Sequence, residues 1–215
     1  MLNVLVLAAH ADDETLGSGG YLAKLAMNGA KINLVVMSDG QITVRDKLVD
    51  NSLHLKMASK ILGIKNTVLL GFKDQKFDTY AIADLANSVL KLKFKPDLIL
   101  THSQNDLNRD HRITLEVAKI IARPKLKKIS ILSFEIPNNN SWNAKPFNPS
   151  YFVDISKTLK KKIMAFSKYK NETQPFPHPL SKKGLELIAK YRGFQSGCKF
   201  AEAYEIVRAY EKHLI

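Results

Sequence analysis

The sequence predicts an α/β fold in which a mostly parallel sheet carries helices on both faces. Three observations carry this. Five short apolar runs recur along the chain: LNVLVLA (2–8), INLVVM (32–37), NTVLLG (66–71), DLILTH (97–102) and ISILSFE (129–135). Each is apolar almost throughout rather than at alternate positions, as a strand buried on both faces must be. Between them lie stretches with apolar residues three and four apart, the helical period, and this alternation is the sequence form of parallel crossover units.

In chain order, the first run hands over at Ala8 to A-H-A-D-D-E, and a helix is expected over about 17–29, closed by Gly29. Helices follow over about 46–63, 79–92 and 111–122, with Gly63, Gly71, Pro96 and Pro124 as breakers. Beyond Glu135 the texture changes. Residues 136–150, IPNNNSWNAKPFNPS, read as a long surface loop of the kind that covers sites. A short strand near 151–154 and helices over about 156–169 and 181–192 finish the chain. At 215 residues, residues 1–215 are expected to form one domain with a full hydrophobic core.

Apolar residues make up 45% and charged residues 25%, which is ordinary for a globular protein and argues against disorder. The first apolar run is too short to span a membrane and has no secretory flanks. Cys198 stands alone, so neither an internal disulfide nor a cysteine metal site is available, and a reducing, cytoplasmic setting is expected. The net charge of +13 comes mostly from dispersed lysines, with clusters at 91–95, 125–128 and 157–162. No nucleic-acid-binding motif accompanies them, so nucleic acid is not the expected partner, whereas a phosphate- or nucleotide-linked substrate would suit the charge. Oligomeric state is left open.

Open parallel sheets bind ligands beyond the carboxyl ends of their strands. That rule gathers His10 to Glu14, Ser38 to Gly40, Gly71 to Asp74 and the segment 101–111, THSQNDLNRDH. His10, Asp13 and His111 then form a three-ligand set with an open position, the arrangement of catalytic zinc, and a cation would explain three adjacent acids. Asp12 is free to act as base toward a water. The structural alternative is that Asp12 or Asp13 caps the next helix and His111 is an ordinary first-turn histidine. The glycines of L-G-S-G-G do not make a dinucleotide loop, because acids rather than glycines follow the strand; they read as close helix packing. A two-histidine, one-carboxylate iron site uses the same ligand types but fits His-x-x-Asp in an α/β chain less well.

A-H-A-D-D-E after the first strand, S-D-G after the second, L-G-F-K-D after the third and D-L-N-R-D-H-R after the fourth resemble the PIG-L/LmbE family of zinc-dependent N-acetylglucosaminyl deacetylases. PFPHPLS (175–181) and YRGFQSGCKFAEAYE (191–205) extend the likeness over most of the chain. Ala11 stands where the family motif has proline. The resemblance implies a Rossmann-like three-layer sandwich. It also implies zinc, or Fe2+ or another divalent ion, on His10, Asp13 and His111, with Asp12 as base, in removal of acetyl from a glucosamine-type sugar.

Several family members have His-x-x-His at the second motif, where this chain has Asn108, which can donate a hydrogen bond but cannot deliver a proton. His178, presented between prolines, is the expected proton donor instead. Asp110 is expected to orient a ligand, and Arg112 to contact sugar hydroxyls or a phosphate. For Arg45 the structural reading, neutralising the acidic rim, is preferred. Asp39, Asp74 and Asp106 read as turn acids. Asn108 also leaves a second functional reading, a sugar- or anion-binding protein without turnover.

Overall fold

The computed structural model describes residues 1–44, 47–123 and 128–210, without the side chains of 42–44, 47 and 48. Arg45, Pro124 and the lysines at 125 and 127 lie outside the described residues. Strands β1 (Asn3–Ala8), β2 (Lys31–Ser38), β5 (Asn66–Phe72), β6 (Leu98–His102) and β7 (Ser130–Phe134) are the five apolar runs. With β8 (Tyr151–Asp154) and β9 (Ala201–Arg208) they form one sheet in the order β5-β2-β1-β6-β7-β9-β8. The first five are parallel; β9 runs antiparallel to β7 and β8.

Burial on both faces follows from what covers them. Val4, Val6 and Ala8 point into a core with helices α1 (Asp13–Met27), α2 (Ser52–Leu62), α6 (Leu159–Phe166) and α7 (Lys182–Ser196). Leu5, Leu7 and Ala9 point into a second core under α3 (Ile82–Leu90) and α4 (Arg109–Ile121). The result is the three-layer arrangement expected. The chain winds from β1 outward to β5, then returns to lay β6 on the other side of β1. Loops leaving β1 and β6 therefore diverge at a topological switch point, where a crevice opens beyond the strand ends.

Four expectations need correction. The helix expected over 46–63 is shorter: β3 (Gln41–Val44) and β4 (Lys47–Asp50) pair as an antiparallel hairpin ahead of α2, which Gly63 closes at φ 80°. The loop 136–150 contains a one-turn helix, α5 (Pro137–Asn140). Strand β9, inserted between β7 and β8, was not expected: the last expected helix ends near 192, and the alternating A-E-A-Y-E-I-V-R after it carries no element in the sequence reading. Helix α1 also begins at Asp13 rather than near 17.

That helix is stitched to the sheet in an unusual way. Lys162 Nζ donates to the Leu16 carbonyl at 2.7 Å and to Glu202 Oε1 at 2.6 Å, while Glu202 accepts the Gly20 and Tyr21 amides at 2.9 and 2.7 Å. In a regular helix the Gly20 amide would serve the Leu16 carbonyl; here the buried ion pair engages both groups. Close packing explains the glycines: a Cβ on Gly17 would lie 2.1 Å from Phe134 Cδ2, and one on Gly20 2.8 Å from Ile155. The L-G-S-G-G run thus brings α1, and Asp13 at its first turn, tight against the sheet.

Candidate active site

The loop after β1 and the start of α4 after β6 meet in a cleft of about 210 Å³ lined by His10, Asp12, Asp13, Asn108 and His111. His10 Nδ1 lies 3.1 Å from His111 Nε2, and the Asp13 carboxylate reaches both, at 3.6 Å from His10 Nδ1 and 3.4 Å from His111 Nε2. These donor atoms fall within 4.8 Å of one another. The opposite nitrogen of each ring is held by a carboxylate: His10 Nε2 by Asp74 at 2.9 Å and Asp110 at 3.2 Å, His111 Nδ1 by Asp106 at 2.9 Å. Such backing fixes the tautomers, so that lone pairs on His10 Nδ1 and His111 Nε2 converge with the Asp13 carboxylate. This donor set fits a divalent ion that takes nitrogen and oxygen ligands and keeps an open position.

The supporting shell is built locally. Asp110 sits in the first turn of α4 and also accepts the Phe77 amide through Oδ1 at 3.1 Å. Asp106 accepts the Asn108 amide at 2.8 Å. Asn108 is the N-cap of α4, with Oδ1 accepting the Asp110 amide at 2.9 Å, which leaves its Nδ2 group as a donor at the cleft. Asn139, from α5, places Nδ2 3.3 Å from His111 Nδ1. His102, stacked on His111 with ring centroids 4.0 Å apart, accepts the Ala9 amide through Nε2 at 3.0 Å.

Asp12 is the N-cap residue of α1, yet its side chain makes no cap bond. Its carbonyl takes the Thr15 and Leu16 amides, both at 2.9 Å, and its backbone lies at φ 132°, a region that suits glycine rather than aspartate. Its carboxyl is thereby freed toward the cleft. Burial, then the charges of Asp13, Glu172 and Glu14, push the Asp12 carboxyl well above the usual carboxylate range. Asp13 goes the other way: burial opposes, but His111 and His102 hold it low. Burial lowers His10, yet its hydrogen bonds to Asp110 and Asp74 and the charge of Asp13 win and raise it. His102, pushed down to about 4 chiefly by burial, stays neutral.

Other expected site residues lie elsewhere. Arg112 donates from Nη1 to the Asp106 and Leu107 carbonyls, 2.6 Å each, and so braces the loop that carries Asp106; it does not line the cleft. His178 does not line it either; its Nδ1 accepts the Leu180 amide at 3.1 Å, and Leu180 forms part of the cleft wall. Asp110 backs His10 rather than its neighbour His111. Sequence reasoning missed Asp74 and Asp106, which it took for turn acids, as well as His102, Asn139 and Glu172. The five-residue step from Asp106 to His111 across a helix N-cap was a usable signal; Glu172, distant in sequence, offered none.

A family model described as PIG-L, GlcNAc-PI de-N-acetylase, matches residues 5–122, more than half of the chain. The chain belongs to the PIG-L family. The match spans both loops of the cleft, from His10 to His111. Among relatives of this PIG-L family chain, the diacetylchitobiose deacetylase of Thermococcus kodakarensis is 26% identical over 230 residues, covering 98% of this chain and 85% of that protein. The conserved protein TT1542 of Thermus thermophilus superposes with a TM-score of 0.77 at 21% identity, covering 98% and 96% of the two chains. The N,N'-diacetylchitobiose deacetylase of Pyrococcus horikoshii, in complex with its inhibitor MPG, superposes with a TM-score of 0.76 at 21% identity, covering 95% and 83%. Both structural likenesses establish the Rossmann-like fold. Among the described residues no helix is long and apolar enough to cross a membrane.

Proposed function

We propose that this PIG-L family chain is a metal-dependent amidohydrolase that removes the acetyl group from an N-acetylated amino sugar of the glucosamine type. One observation carries the reading: two imidazole nitrogens and the Asp13 carboxylate converge beside a carboxyl, Asp12, that no capping bond occupies. His10, Asp13 and His111 would hold the ion, and zinc suits them. A divalent ion there would supply Lewis acidity toward an amide carbonyl and toward water.

The chain's own residues account for the remaining requirements. Asp12, whose carboxyl lines the cleft with no capping bond on it, is placed to take a proton from the attacking water. The Asn108 Nδ2 group faces developing negative charge on the carbonyl oxygen as a hydrogen-bond donor. The departing nitrogen needs a proton, which we assign to His178, outside the cleft lining but on the segment whose Leu180 forms the cleft wall: the Leu180 amide occupies its Nδ1, so Nε2 is left to exchange one. Diacetylchitobiose, the substrate in the relative's name, is the first compound to try.

The deciding experiment measures metal content and acetate release together on wild type and Asp12→Ala. Metal retained in both proteins, with acetate released by wild type and reduced on the order of 10²–10⁴-fold in the variant, is the expected result. Wild type without bound metal would remove the reading.

A further inference from the structure

The cleft carries a sign opposite to that of the whole chain. The sequence totals +13. Yet Asp12, Asp13, Asp74 and Glu172 all line the cleft, and among the described residues no lysine or arginine does. Arg112, the arginine expected at the substrate, is committed to two backbone carbonyls instead. A divalent ion would offset two of four carboxylate charges and leave the cleft formally negative.

Glu172 differs from Asp13 and Asp74, each of which an imidazole holds. Asn51 Nδ2 donates to its Oε1 at 3.1 Å. Asn51 is fully buried and is itself fixed, its amide on the Gly40 carbonyl at 2.8 Å and its Oδ1 on His54 Nδ1 at 2.9 Å. The carboxylate is therefore anchored at the cleft wall, and its Oε2 has no partner among the described residues. A sugar hydroxyl can donate to such an oxygen; an ionised phosphate or carboxylate offers only acceptors and repels it.

We propose that the cleft takes an uncharged N-acetylated sugar and turns away one bearing phosphate or carboxylate beside the amide, with Glu172 setting this charge selection. The proposal rests on the deacetylase reading above and narrows its substrate class. Dispersed surface lysines draw anions toward the protein at long range, but the groups inside the cleft decide which sugar is accommodated.

The test compares N-acetylglucosamine with N-acetylglucosamine 6-phosphate, as kcat/KM for acetate release and, on the slow Asp12→Asn variant, as affinity by calorimetry. Wild type should favour the uncharged sugar about tenfold or more, and Glu172→Gln should narrow that ratio several-fold by improving the phosphorylated sugar. Equal or better handling of the phosphorylated sugar, or an unchanged ratio in Glu172→Gln, overturns the selection. If no acetate is released but calorimetry shows the uncharged sugar bound tighter, the selection stands and the deacetylase reading falls. Binding of neither sugar overturns both.

Discussion

The Tyr169 hydroxyl donates to Glu14 Oε1 at 2.8 Å, and the other oxygen of that carboxylate accepts the Asp12 amide at 3.1 Å. Tyr169 and Glu14 are both completely buried, and Thr15 adds a third hydrogen bond to Glu14. The chain of contacts explains how an aspartate is kept at φ 132°, a conformation that costs on the order of 1–3 kcal/mol and persists only where surroundings over-determine it. Glu14, the last acid of A-H-A-D-D-E, thus serves Asp12 rather than a cation.

Tyr169→Phe keeps the ring packing and removes only the donor, so it should lower kcat about tenfold while KM and metal affinity hold. Glu14→Ala should lose more, and Glu14→Gln, which still offers an acceptor to the Asp12 amide, should recover most of it. Steady-state kinetics beside metal titration of the same proteins checks this; kcat at the wild-type value in both Tyr169→Phe and Glu14→Ala would show that Asp12 needs no such support.

Removing a backing carboxylate should act through the ion. Asp106 is not an expected ligand itself but holds one, at 2.9 Å from His111 Nδ1. Asp106→Asn is expected to weaken zinc binding about 10–100-fold, and His111→Ala to abolish it, as read by competition with a chromophoric chelator. In the wild type, zinc should raise the melting temperature, since an ion that binds only the folded state stabilises it. An Asp106→Asn protein with wild-type affinity would mean that His111 is oriented by packing against His102 alone.

The layered fold was legible because its evidence is periodic: strands such as Val4–Ala8, apolar at every position, admit no solvent-facing side. The convergence of His10, Asp13 and His111 was legible too, because strand ends of a parallel sheet are neighbours by topology. What escaped depended on pairings between distant segments. Strand β9 is specified by its place between β7 and β8, and the hairpin ahead of α2 by the pairing of two four-residue strands too short to leave a periodic trace. Asp74 and Asp106 look like turn residues because acids at turns are common for backbone reasons, and nothing local distinguishes one that also holds a histidine.

His178→Gln tests the assigned proton donor. The substitution should reduce kcat on the order of a hundredfold and leave bound metal unchanged, because a general acid contributes to the chemical step alone. His178 lies two residues from Leu180 at the cleft wall, so a parallel Leu180→Ala variant reports on displacement of the segment. Full turnover in His178→Gln would return the proton to Asp12, which has just taken one from water.

The Lys162–Glu202 pair joins catalytic geometry to stability, because it binds the turn of α1 that follows Asp13 and Glu14. Both side chains are at least nine-tenths buried, and breaking such a pair strands a charge at a cost of about 3–5 kcal/mol. Lys162→Met should therefore unfold at markedly lower denaturant. Adding Glu202→Gln to it should restore part of the loss, since the neutral amide carries no unpaired charge and its oxygen still accepts from the Gly20 or Tyr21 amide. Chemical denaturation of wild type, both single variants and the double variant gives the coupling directly. A double variant no more stable than Lys162→Met would mean that Glu202 matters for its two amide contacts rather than for its charge.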